Sequence, residues 1–171
     1  MNRLAFLATA GAVSAVFAGP VRSASSAPKK EHHHLNSLAD IQKPEALRAR
    51  THAMDVFAIS QMIATRTPIA PEKLETYPDV VKHHVSDEHK IAEIYAALHE
   101  AKPVASKQGF EYRWKVVALD AGGERIAEIY ASAITHHGMT GDGTRFEFSN
   151  GRFTDYLQEH FTVVPVINSS G

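Results

Sequence analysis

The chain has no cysteine among its 171 residues. This excludes disulfide staples, thiolate metal ligands, a thiol nucleophile and a lipid-modified cysteine anchor. Charge of one sign is also lacking: 18 Lys and Arg stand against 19 Asp and Glu, a formal net charge of −1. Nothing global therefore draws the chain to nucleic acid or to an anionic membrane. Aromatics make up only 8%, with one Trp. Where three of them alternate, in Phe110, Tyr112 and Trp114, core packing is expected rather than a stacking platform. There is no internal repeat, no Gly-x-Ser-x-Gly elbow and no Walker loop. The glycines at 138, 141 and 143 carry the dinucleotide spacing in reversed order and lead into a strand, not a helix.

What is present begins at the N-terminus. Arg3 supplies a positive start, Leu4 to Gly19 form an apolar, small-residue run, and small residues precede Pro28. This predicts a signal peptide over 1–27, with cleavage after Ala27 or after Ala18. The run falls short of the roughly 20 residues that span a bilayer, and no twin-Arg pair precedes it, so a Sec-type route and no stable membrane anchor after cleavage are expected. The expected location is periplasmic or secreted. Removing residues 1–27 takes away Arg3 and Arg22 and leaves 144 residues with 16 basic and 19 acidic side chains. That length can form one core without staples.

Residues 28–50 mix Pro, Lys, Glu and His with little apolar periodicity and read as a flexible polar linker, with at most a helical turn after Pro44. Residues 51–171 read as a single α+β domain. Met54 to Ile63 is a buried strand in preference to a helix. Ser86 begins a helix over about 87–101, with Ile91, Ile94, Tyr95 and Leu98 on one stripe. Phe110 to Val116 alternates aromatic and charged residues, so Phe110, Tyr112, Trp114 and Val116 should face inward. Asp120 to Glu124 is a hairpin loop, Arg125 to Ile134 its return strand, and Thr144 to Phe148 a further strand. Ser149 or Asn150 caps a second helix over about 151–161. Thr162 to Ile167 is an edge strand or a docked tail. The expected fold class is α+β: an antiparallel sheet of about four strands with the two helices on one face.

The unusual number is 11 histidines, all beyond the leader. Imidazole is the commonest metal ligand and titrates near neutrality. His32, His33 and His34 lie in the arm and lack rigid spacing. His83 and His84 stand close to Asp87 and His89. His136 and His137 precede a Gly-rich loop holding Asp142. Neither His-Glu-x-x-His nor its inverse occurs. The candidate metal ligands are His84, His89, His136, His137 and Asp142; the candidate cofactor is a divalent transition metal, and otherwise none is expected. No residue is singled out as catalytic. The primary expectation is an exported, soluble, non-enzymatic binding domain with an envelope or secreted protein partner and no nucleic acid. The alternative is a histidine-dependent divalent-metal binding protein or small metal-dependent hydrolase.

Overall fold

The computed structural model describes residues 37–63, 67–108, 111–132 and 134–161. The expected signal peptide, His32 to His34, Phe110 and the expected strand or tail over 162–167 lie outside the described residues.

The first described elements are two short helices, α1 (Leu38–Gln42) and α2 (Glu45–Arg48). A capping box starts α1: the Ser37 hydroxyl accepts the Asp40 N–H, and the Asp40 carboxylate accepts the Ser37 N–H, satisfying two otherwise orphan donors. Ile41 and Leu47 are fully buried in the main core. Gln42 donates to the Pro103 carbonyl at 2.8 Å, and Thr51 Oγ1 donates to the Leu47 carbonyl at 2.9 Å. The latter half of the segment read as a flexible linker is therefore helical and packed. Its apolar residues are too few for a visible period, yet two of them suffice to fix two single-turn helices.

Seven strands follow among the described residues: β1 (Ala53–Ile59), β2 (Val80–Val85), β3 (Pro103–Ala105), β4 (Trp114–Leu119), β5 (Arg125–Ala131), β6 (His137–Thr140) and β7 (Arg145–Phe148). They form one antiparallel sheet in the order β2-β1-β4-β5-β6-β7-β3. This corrects the expected sheet of about four strands, although the content remains mixed α/β. The three unexpected strands have weak local signals. β2 is a half-exposed His-rich border, β3 is three residues long, and β6 contains Gly138 in a stretch that reads as a loop.

Gly138 is there for packing. A Cβ at that position would lie 2.3 Å from the Phe146 ring and 2.8 Å from the Tyr130 carbonyl, so only glycine lets β6 pass its neighbours.

The two longer helices are α3 (Glu88–Glu100) and α4 (Arg152–Phe161). Asp87, rather than Ser86, caps α3: its carboxylate accepts the Lys90 N–H at 2.8 Å. Ile91, Ile94, Tyr95 and Leu98 of α3 pack with Phe153 and Leu157 of α4 against Met54, Val56, Trp114, Val116, Phe146 and Phe148 of the sheet. Asn150 Oδ1 accepts the Arg152 N–H at 3.0 Å at the start of α4, while its amide donates to Glu100 O at 2.9 Å, tying the two helices end to end.

The other face of the sheet is covered too. A 310 helix (Pro71–Thr76) seats Leu74 against Phe57, Ile59, Tyr112, Val117 and Tyr130. Tyr112 and Trp114 consequently serve opposite clusters, where one shared inward face was expected. The charged positions between them are also buried: Arg113 and Lys115 are each 4% exposed. Lys115 Nζ sits 2.6 Å from Glu75 of the 310 helix and 2.8 Å from Glu128 of β5. Arg125 grips Glu75 with both terminal nitrogens, at 2.7 and 2.8 Å, and the Tyr130 hydroxyl donates to Glu128 at 3.0 Å. A lid pinned by ion pairs is what the alternating pattern of β4 could not reveal.

Candidate functional site

The buried ion pairs are the first place to look for chemistry, and they are closed. Hydrogen bonds from Arg125 hold the Glu75 carboxyl at about 2. Burial works to raise Glu128, but Lys115, Tyr130 and Arg125 outweigh it and leave the carboxyl below its ordinary value. Burial likewise works against the charge of Lys115, and its carboxylate partners raise its pKa regardless. Groups held this firmly in their charged forms fasten the 310 helix to the sheet and are poorly placed to exchange protons near neutrality.

The sheet has two borders. β3 is short, whereas β2 offers six residues and pairs, among the described residues, only with β1. The register sets Asp55 of β1 opposite His84, and Val56 opposite His83. Because side chains alternate, Lys82 and His84 share the face of Asp55, while His83 projects toward the helices. Asp55 accepts from Lys82 Nζ and from His84 Nδ1, both at 2.8 Å. Burial acts to raise the Asp55 carboxyl, and the hydrogen bonds from Lys82 and His84 outweigh it, so its pKa is lowered. The Lys82 and His84 side chains are 51% and 57% exposed, held in place from below and open above.

On the helix side, His83 meets the Phe161 ring edge-on, with centroids 5.4 Å apart. His83 Nε2 is shut away from solvent and has no hydrogen-bond partner among the described residues. It borders a hollow of about 280 Å³ that Lys90 and Asp87 of α3 and His160 and Phe161 of α4 also line. The His160 ring rests on Tyr156, with centroids 4.3 Å apart. A larger hollow of about 580 Å³ lies between α2 and the start of α3, lined by Glu45, Arg48, Thr51, His52, Ser86 and Glu88. Its charges are mixed, and the Thr51 hydroxyl is already engaged with Tyr95 at 2.7 Å.

The five candidate metal ligands occupy separate places. His84 is bound to Asp55 on β2. His89 lies in the first turn of α3, mostly exposed, and pairs with Glu93 at 3.2 Å. His136 is exposed ahead of β6, and its carbonyl accepts the Phe148 N–H at 2.6 Å. His137 opens β6, buried, with Nε2 3.8 Å from Glu147. Asp142 lies in the turn past the far end of β6, whose three steps from His137 to Thr140 span about 10 Å at roughly 3.3 Å per strand residue. It accepts from the Thr140 hydroxyl and, at 2.9 Å, from the Thr144 N–H. Burial opposes its charge, but those hydrogen bonds prevail and lower its pKa. Asp142 thus shapes the β6–β7 turn, where Gly143 takes a φ of +85°. Among the described residues, no three His, Asp or Glu side chains gather closely enough to hold a metal ion.

His83 and His160 are the residues that sequence reasoning left outside its site. The available signal was the pair of adjacent histidines in a strand, which necessarily project to opposite faces; only the fold brings His160 beside one of them. Comparison of the chain with protein-family models, curated proteins and solved structures finds no match.

Proposed function

We propose that the chain is an exported, soluble, non-enzymatic binding domain of the cell envelope or secreted space, and that it engages a protein partner along the open border of β2. The observation that carries this reading is the border itself: six residues whose outer side is unpaired among the described residues, exposed Lys82 and His84, and a hollow alongside. An unpaired strand edge is a template for strand addition. The buried ionisable groups on the other face of the sheet are engaged in holding the lid, and the five candidate metal ligands stand apart, which favours binding over metal chemistry. The leader pattern over 1–27 supports export. No helix among the described residues is long and apolar enough to cross a membrane.

The test is a photo-crosslinking residue at Val81 on β2, with Val104 on β3 as the control, in cells that make the protein. The expected result is a processed chain in the envelope or medium fraction and a discrete crosslinked product from position 81 alone. A protein that reaches that fraction yet gives no product from position 81 overturns the binding reading. A chain that stays unprocessed in the cytoplasm overturns export.

A further inference from the structure

We infer that the β2 border accepts an acidic extended segment of a partner protein as an eighth strand, with one of its carboxylates seated in the hollow beside His83. This rests on the reading of β2 as the binding border. The two carboxylates at the site are occupied: Asp55 holds Lys82 and His84, and Asp87 caps α3 through the Lys90 N–H. What faces a newcomer is Lys82, His84, Lys90, His160 and the buried Nε2 of His83, which has no partner among the described residues. Of these only His83 Nε2 is desolvated, and with its proton on that nitrogen it gains most from an ionised acceptor.

The register gives the partner a pattern. Positions opposite Val81 and Val85 lie on the helix side beside apolar neighbours, so they suit apolar residues. The position opposite His83 points over the hollow, and those opposite Lys82 and His84 point to the other face. Three consecutive acidic residues between two apolar ones therefore match both faces of β2. A second copy of this chain does not: two-fold pairing through β2 sets Lys82, His83 and His84 against the same cationic run.

The experiment uses the purified full chain and a labelled peptide, TVEEEVT, followed by fluorescence anisotropy. Binding is expected to be at least about tenfold tighter than for TVKKKVT. N-methylation of alternate peptide nitrogens should abolish it, because strand addition needs the backbone. Lys90→Glu and His83→Gln should each weaken it about tenfold; Lys90 is exposed, so its variant tests the site even if the His83 variant unfolds. Equal binding of the basic peptide, indifference to N-methylation, or a β2-linked dimer in sedimentation overturns the inference. If TVEEEVT fails while position 81 still crosslinks in cells, the binding border stands and the acidic partner is wrong.

Discussion

Replacing Lys115 with Met should cost the protein a large share of its stability, and should do so in a pH-dependent way. The Lys115 side chain is 5% exposed, with its ammonium 2.6 Å from Glu75 and 2.8 Å from Glu128. At an effective dielectric of about 20, each contact is worth about 6 kcal/mol before desolvation, which takes back several kcal/mol. Removing the cation while leaving both carboxylates in place should cost about 3–5 kcal/mol, a third or more of the stability of an ordinary domain. In urea the midpoint should fall by about 2 M. The sign with pH follows from the carboxylates. Glu75 sits at about 2 in the folded chain against an ordinary 4.5, and Glu128 is also depressed. A depressed carboxyl contributes stability that is fully present above its unfolded value and lost as pH falls through the folded one. The gap between the wild type and Lys115→Met should thus be widest near neutrality and narrow from about pH 4.5 down toward pH 2. Adding Glu128→Gln should recover part of the loss, since the two changes share one network. Urea titrations at several pH values check this. A cost below about 1 kcal/mol, or one that does not change with pH, would refute a buried, coupled network.

Gly138→Ala should destabilise the protein by about 2–3 kcal/mol in thermal denaturation, because the added methyl meets the Phe146 ring and the Tyr130 carbonyl. Lys102 closes α3 with a φ of 47°, a conformation glycine adopts freely, so Lys102→Gly should raise stability by up to about 1 kcal/mol. Ile41→Ala and Leu47→Ala should each cost about 2–4 kcal/mol in chemical denaturation; a silent result at both would mean that α1 and α2 do not contribute to the core.

The elements written most clearly in the chain are those whose own side chains supply the period. The Ile91, Ile94, Tyr95, Leu98 stripe marks α3, and the Phe153, Leu157, Phe161 stripe marks α4; both are found within a residue or two of where they were expected. The loop at Asp120 is also legible, since its carboxylate accepts from Gly122 and Glu124 at 2.8 and 2.9 Å and Gly123 takes a φ of +78°. β2, β3 and β6 were not legible, because partners distant in sequence decide them. β3 exists by pairing with β7, and β6 by the fit of Gly138 against Phe146. The burial of Lys115 depends on a lid some 40 residues earlier in the chain, and that of Arg113 on the Ser60 and Ile63 carbonyls that accept from its guanidinium. The site shares this difficulty: His84 was marked, but His83 gains its significance only when α4 carries His160 and Phe161 to its side.

The order in which the sheet is filled has a consequence for how the chain acquires its shape. β2 and β3 are the two borders, yet only α3 separates them in sequence. A 13-residue helix of about 20 Å therefore stands between strands that finish six spacings, or about 29 Å, apart. As the chain emerges N-terminus first, both margins are made before β4 to β7 exist to bridge them. The middle arrives last, as a meander slotted between margins already synthesised. A nascent chain halted after β3 has two strand edges, those of β1 and β3, awaiting neighbours and an apolar helix stripe with little to cover, surfaces of the kind that aggregate unless masked until the final hairpin and α4 arrive.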